Sequence, residues 1–310
     1  LFIFGQVVSL LGSWTQRLAV GWLAWTLTHS AFWVGAVSFA GLFPGVAFGP
    51  WAGSVTDSMQ RFRLVRITQL AFMLQAILLS VFTLTDLITI ELLLLLEAML
   101  AVITAFDLPA RQSMVVEMVG VEDLSNAIAI NSSTVNITRM VGPALAGMII
   151  VWAGIGEAFV FNAVSYIAVL VSLSMMRISP RVVVPRAASR WKHMRDGFAY
   201  SWRTTNIRTF LLLFFLMAMF GMPYGSLMPV FADQSFGMGA EGLSWLVAAS
   251  GLGATFGALS LAARKGTHGL DKVLFAGGVL FGVSLILLGL TSSLWSAVLI
   301  LQFCGFGMML

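Results

Sequence analysis

Apolar runs of about 20 residues follow one another along the whole chain, and each is long enough to cross a bilayer as an α-helix. Hydrophobic residues make up 59% of the 310 residues, and charged residues only 10%. A soluble domain carries about 25% charged residues, so this composition cannot cover a surface that faces water on all sides. The chain is therefore predicted to be an all-α polytopic membrane protein.

Ten spans are predicted from apolar windows that are bounded by charge, Gly or Pro. They lie at residues 2–27, 31–55, 64–85, 88–107, 125–153, 156–176, 206–231, 242–263, 272–291 and 293–310. Leu1 already lies in an apolar run, and the last ten residues, LQFCGFGMML, are still apolar. We interpret the sequence as a fragment that begins and ends within spans, and its first span does not resemble a cleaved signal peptide.

The positive charges of the connectors predict the orientation in the membrane. Alternate connectors, taken together with the first residues of the spans that follow them and beginning with the connector between spans two and three, hold 15 of the 17 Lys and Arg residues, and the opposite connectors hold none. The remaining two, Arg17 and Arg139, fall within spans. Basic connectors face the cytoplasm, so the first span is predicted to start on the cytoplasmic side.

One long polar stretch divides the spans into two groups. We predict a six-helix N-terminal bundle at residues 1–176, a cytoplasmic linker at 177–205 and a partial C-terminal bundle at 206–310. A Gly followed by a basic pair recurs after spans two and eight. This echo gives weak support to a repeated six-span unit, which is a common transporter design.

Several function classes are disfavoured by the residues that carry chemistry. Cys304 is the only cysteine, and the three histidines fall in polar connectors. No cluster of His, Asp or Cys marks a membrane face, so we expect no metal, no cofactor and no enzyme activity. The net charge is +4, but no soluble module is present to bind nucleic acid. The expected partners are the lipid bilayer and a small molecule, and we expect a monomer.

Three ionisable residues lie near the middle of their spans. Because a helix rises about 1.5 Å per residue, counting places Glu97 at the centre of span four and Arg139 at the centre of span five, with Arg17 slightly beyond the centre of span one. Such charges cost at least about 2.5–3.5 kcal/mol each and normally face a bundle interior or a wet cavity. We expect Glu97 to pair with Arg17, Arg139 or both, beside Gln16, in the polar floor of a transport path.

The expected Glu–Arg pair has two interpretations. An anionic or polar group of a cargo could compete for the arginines, and protonation of Glu97 could couple transport to the proton gradient. Alternatively, a static pair locks the spans in register. The first interpretation is favoured for Glu97, and the second for Arg139, which we expect to be neutralised within the N-terminal bundle.

Glycines and prolines within the spans predict close packing and bends. Two pairs of glycines have GxxxG spacing, which allows close helix contact and predicts packing within a bundle: Gly253 with Gly257, and Gly278 with Gly282. Prolines inside spans remove a backbone hydrogen bond and predict kinks in spans two and seven: Pro44, Pro223 and Pro229.

Three stretches resemble the Major Facilitator Superfamily. GSVTDSMQRFR, which contains Gly53, Asp57, Arg61 and Arg63, is similar to the signature between spans two and three, although Ser58 and Gln60 stand where a basic residue and a glycine are usual. The stretches 106–147 and 222–259 resemble the branch that holds the enterobactin exporter and macrolide-efflux proteins, also called transmembrane secretion effectors. The resemblance covers essentially the whole chain and implies a twelve-span carrier of a bacterial inner membrane.

The resemblance also implies roles for residues at the inner face and in span five. Asp57 with Arg61 and Arg63, after Gly53, would form a gate latch in the outward-open state, although a solvated turn explains the arginines equally well. Asp107 and Arg111 look like a structural pair around Pro109, which is expected to end its helix. Gly142 and Pro143, in GPALAG, imply either a hinge or leak-tight packing of span five.

The sequence is identified as that of a secondary active transporter. The resemblance implies efflux of small amphipathic molecules such as siderophores or drugs, with proton antiport and alternating access about a midplane site. A nutrient or metabolite importer of the same fold is the first alternative. A polytopic membrane enzyme and a channel are further alternatives, and the broken helices and the solitary midplane acid fit a carrier better.

Overall fold

Long helices build almost all of the described structure. The computed structural model describes residues 2–120, 123–176, 200–216, 219, 221–264 and 269–310. The helices of the first half are α1 (Phe2–Thr28), α2 (Ala31–Ala40), α3 (Phe43–Ser58), α4 (Arg61–Leu84), α5 (Ile90–Val119), α6 (Leu124–Trp152) and α7 (Ile155–Met175). Those of the second half are α8 (Thr205–Leu216), α9 (Gly239–Ala262), α10 (Leu270–Leu290) and α11 (Leu294–Met309).

Seven helical stretches of the described residues are long and apolar enough to cross a membrane. Three predicted spans fall outside this set. The first, α1, carries polar residues on buried positions, among them Gln6, Ser9 and Gln16. Span seven is interrupted, and α11 is a shorter apolar helix. The polytopic all-α architecture is confirmed, and most span boundaries lie within a few residues of those predicted.

Span two is not one helix, because the chain bends at Gly41 between α2 and α3. Pro44 lies in the first turn of α3, where a missing backbone N–H costs nothing. Span seven is likewise broken after α8 into a 3₁₀ turn, Met222–Gly225, a helical turn, Met228–Val230, and a π-helical segment, Phe231–Ser235. The predicted bends at these prolines are confirmed.

Pro109 does not end its helix, contrary to expectation, since α5 continues through it to Val119. A proline inside a helix costs about 3 kcal/mol. The flanking side chains Ala110 and Met114 are buried in a core cluster with Leu64 and Val65 of α4. Packing of α5 against α4 therefore outweighs the lost hydrogen bond.

The described helices pack in two sets. In the first half, α1 packs on α7 and α6, and α4 lies between α7 and α5. In the second half, α11 lies between α9 and α10. The two sets meet where α6 packs against α9, so residues of this contact have neighbours from both halves of the chain. The predicted linker, 177–205, lies largely outside the described residues.

Candidate functional site

Two arginines, each near the middle of its helix, lie against one indole ring. The guanidinium carbon of Arg17 is 5.5 Å from the centroid of the Trp14 ring, and that of Arg139 is 5.8 Å from the same centroid. Both distances are within the range of a cation–π interaction. The side chain of Arg17 is exposed, whereas Trp14 and Arg139 are partly buried. We call these three residues the Trp14 cluster.

Local sequence explains how the cluster forms. Trp14 and Arg17 are three residues apart on α1, so they share one helix face. The neighbouring α6 approaches this face closely, since a Cβ atom added at Gly142 would lie 2.4 Å from the Trp14 Cβ. The hydroxyl of Thr15 also donates to the Gly142 carbonyl over 3.3 Å. Arg139 is one turn before Gly142 and therefore reaches the indole from α6.

Arg139 also faces the second half of the chain. Its guanidinium lies 3.9 Å from the Sδ atom of Met308 in α11 and within electrostatic reach of Tyr224. The Tyr224 hydroxyl is 2.9 Å from the Ser250 hydroxyl of α9. The predicted inward orientation of Arg139 is confirmed, but its neutralisation within the N-terminal bundle is wrong. Its described neighbours are an indole, a thioether and a phenol.

Glu97 is buried at a different place. Its side chain is 8% exposed, and a Cβ atom added at Gly41 would lie 3.0 Å from the Glu97 Oε2. The carboxylate thus lies beside the bend between α2 and α3. Glu97 makes no ion pair with Arg17 or Arg139, so the expected pairing is wrong. Arg17 nevertheless acts on Glu97 electrostatically.

One carboxylate oxygen of Glu97 has no described hydrogen-bond partner. The atom is Oε1, which is buried. An ionised carboxylate in such a place would lose much of its hydration without an equivalent gain. Protonation of the carboxylate would remove that cost.

Gln16 was expected beside a Glu–Arg pair in the polar floor of a transport path, but it packs among side chains of the first half instead. It is 3% exposed and lies in a chain of side-chain amides inside the first half. Its Nε2 donates to Gln75 Oε1 over 3.0 Å, and its Oε1 accepts from Asn162 Nδ2 over 2.7 Å. Because Gln16 and Arg17 are adjacent on a helix, their side chains diverge by about 100°. Gln16 therefore holds α1 to α4 and α7.

Asp107 is the centre of a buried network in the second half of α5. It is 0% exposed and forms the predicted ion pair with Arg111 one turn later. Its Oδ1 accepts hydrogen bonds from the Thr68 hydroxyl over 2.7 Å and from Gln69 Nε2 over 3.0 Å. The pair is confirmed, and its partners on α4 explain why Asp107 tolerates complete burial.

The expected latch residues are described in part. Gly53 is in α3, and nothing lies within 4 Å of a Cβ atom added there, among the described residues. Asp57 is in the last turn of α3, and its side chain lies outside the described part of the structure. Arg63 is exposed. Arg61 forms an ion pair with Glu117, which sequence reasoning missed because the pairing of α4 with the end of α5 requires the fold.

The glycines of GPALAG mediate close packing on two sides of α6. Gly142 contacts Trp14 of α1, as described above. A Cβ atom at Gly147 would lie 1.7 Å from the Ser244 Oγ of α9. Pro143 is inside the continuous helix α6. These contacts support the packing interpretation of this motif, and the role of Gly142 and Pro143 as a hinge stays a prediction.

A contact between the two halves was not predicted. The indole nitrogen of Trp25, near the end of α1, donates to Asp233 Oδ2 over 2.9 Å. Trp25 is 1% exposed, and Asp233 belongs to the π-helical segment. The only available signal was the solitary acid among apolar residues at the expected outer end of span seven.

The helical architecture, the intramembrane ions and the contact between two halves define a polytopic membrane transporter. The family model for transmembrane secretion effectors matches residues 2–310. The chain belongs to this family, a branch of the Major Facilitator Superfamily. It is therefore a transporter of small molecules and not an enzyme.

Two relatives of known name resemble the chain over most of its length. It is 25% identical over 288 residues to a staphyloferrin A transporter of Staphylococcus aureus, a match covering 92% of this chain and 72% of the relative. It is 23% identical over 272 residues to the multidrug efflux pump Tap of Mycolicibacterium fortuitum, covering 84% and 66%. The chain thus corresponds to about two thirds to three quarters of each relative.

Solved structures show the same fold. A bacterial homologue of the iron transporter ferroportin in an inward-facing state gives a TM-score of 0.66 at 15% identity, covering 99% of this chain and 79% of that one. A bacterial homologue of the human lysosomal transporter Spinster, inward-facing and unoccupied, gives 0.64 at 16% identity, covering 99% and 72%.

Proposed function

We propose that the protein exports small amphipathic molecules, of the siderophore or drug type, from a bacterial cell in exchange for protons. The family is described as one of secretion effectors, and one relative is a multidrug efflux pump. In this proposal the protein lies in the inner membrane as a monomer, with the start of α1 on the cytoplasmic side, as the basic connectors indicate.

The proposal of proton coupling rests on the environment of Glu97. Its carboxylate is buried and has an oxygen without a described hydrogen-bond partner. Its other oxygen lies against Gly41, at the bend of span two. A change of charge there acts on a helix that is already broken, and broken helices are where transporters commonly place coupling sites.

Alternating access would follow from movement of two bundles, residues 1–176 and 206–310, joined by the linker 177–205. The bundles meet through α6 and α9, where Gly147 faces Ser244 and Gly251 faces Met140. Contacts between small residues allow helices to slide or rock without displacing large side chains. The latch of Asp57, Arg61 and Arg63 would act at the inner end of this movement.

Import of the cargo together with protons is a second candidate. It is favoured by the electrostatic interaction between Arg17 and Glu97. Protonation of Glu97 would remove the negative charge that acts on Arg17 and so free this arginine for an anion. A proton and an anionic cargo would then bind together, as in a symporter.

Transport by inverted membrane vesicles containing the full-length protein tests both candidates. The probe is norfloxacin, a fluorescent amphipathic drug, and an acidic vesicle lumen supplies the proton gradient. The export proposal predicts gradient-driven uptake of norfloxacin, which E97Q abolishes and E241Q, a change of an exposed acid at the start of α9, leaves intact. Uptake by E97Q equal to that of the wild type would refute the coupling role. Gradient-driven loss of norfloxacin would establish import.

A further inference from the structure

The Trp14 cluster holds two positive charges, and neither arginine forms an ion pair with an acid among the described residues. The guanidinium carbons of Arg17 and Arg139 are each within 6 Å of the Trp14 centroid, and they repel each other electrostatically. The ion pairs among the described side chains join other residues: Arg61 with Glu117, and Arg111 with Asp107. Two like charges near the middle of a membrane are costly, and a bound anion would relieve the cost.

The chemistry of the cluster specifies the anion. A guanidinium presents a planar set of N–H donors that matches both oxygens of a carboxylate. The indole, which lies close to both guanidinium groups, offers apolar surface for a ring or chain attached to that carboxylate. The two guanidinium carbons cannot be further apart than the sum of their distances to the ring, about 11 Å. One small molecule can therefore contact both.

The cluster is only partly covered by the described helices and faces both halves of the chain. Arg17 is exposed on the protein near the middle of α1. Beyond Arg139 lie the linked hydroxyls of Tyr224 and Ser250 and the sulfur of Met308. A molecule bound to the arginines would contact α1 and α6 on one side and the second half on the other.

We propose that the Trp14 cluster binds a carboxylate group of the cargo, so that the transported molecules are small amphipathic anions. The proposal deepens the proposed function and rests on it, since it takes this cluster to be part of the transport site. Arg17 and Arg139 bind the carboxylate, and the Trp14 ring stacks on the apolar body.

Equilibrium binding of a matched pair of probes tests the proposal without transport. The probes are 2-naphthoate and its neutral counterpart 2-naphthamide, added to the full-length protein in phosphatidylcholine nanodiscs. Binding is followed by naphthalene fluorescence anisotropy. Loss of a hydrogen-bonded charge costs about 1.5–3 kcal/mol, so R17Q and R139Q are each expected to raise the Kd for 2-naphthoate at least tenfold. The matched control R208Q, an exposed arginine of α8, leaves it unchanged.

Two results would overturn the proposal. Equal affinity of the wild type for 2-naphthoate and 2-naphthamide would overturn the proposal, as would wild-type affinity in both R17Q and R139Q. If either variant fails to fold, phenylglyoxal labelling of the wild type replaces it. There, 2-naphthoate is expected to protect Arg17 and Arg139, and 2-naphthamide is not. Equal labelling with both probes would refute anion binding.

This test and that of the proposed function can fail independently. Binding of 2-naphthoate that depends on the arginines, together with proton coupling that is unchanged in E97Q, would leave the carboxylate site standing and remove the coupling role of Glu97. Coupling that is lost in E97Q, with no preference for 2-naphthoate, would do the reverse.

Discussion

Replacement of Asp107 by alanine is expected to destabilise the protein strongly. The carboxylate is fully buried and binds three donors: Thr68 and Gln69 of α4, and Arg111 one turn along α5. Removing it deletes all three interactions at once. It also leaves the amide of Gln69 and the guanidinium of Arg111 to find other partners.

The magnitude follows from the burial of each partner. Breaking a buried ion pair by removing one member costs about 3–5 kcal/mol, because the other charge is left uncompensated. The Arg111 side chain keeps 25% of its surface exposed, so water can partly hydrate it. We therefore expect a loss of about 3 kcal/mol in the free energy of unfolding, at the lower end of that range.

The contacts of the two carboxylate oxygens suggest an informative second variant. Thr68 and Gln69 both donate to Oδ1, whereas Arg111 contacts Oδ2. In D107N the side-chain amide oxygen can accept the hydrogen bonds from Thr68 and Gln69. Only the contact with Arg111 is lost, because the new amide NH₂ and the guanidinium are both donors. D107N should therefore be less destabilised than D107A, and D107A/R111A should recover part of the loss.

Unfolding in mixed detergent micelles of increasing SDS content, followed by tryptophan fluorescence, measures these differences. E241A serves as the control, since Glu241 is exposed in the first turn of α9 and such an acid contributes about 0.3–1 kcal/mol. A loss in D107A no greater than that in E241A would refute the argument. So would equal losses in D107A and D107N, because they would show that the hydrogen bonds from α4 carry no energy.

Two further predictions concern packing and the contact between the halves. Gly253→Ala places a methyl 1.8 Å from the Gln302 carbonyl oxygen, whereas the methyl of Gly278→Ala meets nothing within 4 Å among the described residues. Size-exclusion profiles should therefore show misassembly of Gly253→Ala only. Intact assembly of both variants would contradict the close contact at Gly253. Trp25→Phe removes the donor to Asp233, a hydrogen bond worth about 1.5–3 kcal/mol when the acceptor is charged. Spin labels at the end of α1 and the start of α9 should therefore report more separated states. An unchanged distance distribution would show that this hydrogen bond does not hold the two halves together.

The two GxxxG pairs show how far a sequence motif predicts packing. Gly253 and Gly257 lie against backbone atoms of α11, as expected, whereas Gly278 and Gly282 meet no described neighbour. On α10 it is Gly277 that approaches a neighbour, with an added Cβ atom 2.9 Å from the Gly307 carbonyl. The motif indicates that a helix can be approached closely, but the face that is approached depends on where the partner lies.

Hydropathy predicted the seven helical stretches that are long and apolar enough to cross a membrane among the described residues, because length and apolar content are local properties of the sequence. It did not predict that α5 passes through Pro109. The cost of a proline is local, whereas the packing that offsets it comes from α4, whose position a single sequence does not specify. The bend in span two was predicted from Pro44, since a proline acts on its own backbone.

Counting residues predicted similar depths for Glu97, Arg17 and Arg139, which suggested a direct pair. Arg17 and Arg139 do lie near the middle of α1 and α6, but Glu97 lies in the first third of α5, because α5 continues to Val119. A helix turns by about 100° per residue, so depth leaves the facing side undetermined. Glu97 faces the bend between α2 and α3, and Arg139 faces Trp14 and the second half. The separation of the acid from the cation pair is therefore a property of the fold.

Arg17 is the residue through which the two sites can communicate. It interacts electrostatically with Glu97 on one side and with Arg139 on the other. Because coupling between two binding sites is reciprocal, a proton on Glu97 should strengthen anion binding at the Trp14 cluster, and an anion there should strengthen proton binding. If a proton and an anion strengthen each other's binding in one conformation, the transporter carries both across the membrane in the same direction.

Exchange of a proton for an anion therefore requires that the two bind in different conformations. The affinity of 2-naphthoate in nanodiscs decides between these schemes. In a symporter, lowering the pH raises the affinity of the wild type and E97Q holds it at the high value, because the variant mimics the protonated acid. In an exchanger, the proton stabilises the state that lacks the anion site, so lowering the pH weakens 2-naphthoate binding and E97Q holds it weak. If the affinity for 2-naphthoate changes neither with pH nor in E97Q, Arg17 does not couple proton binding at Glu97 to anion binding at the Trp14 cluster.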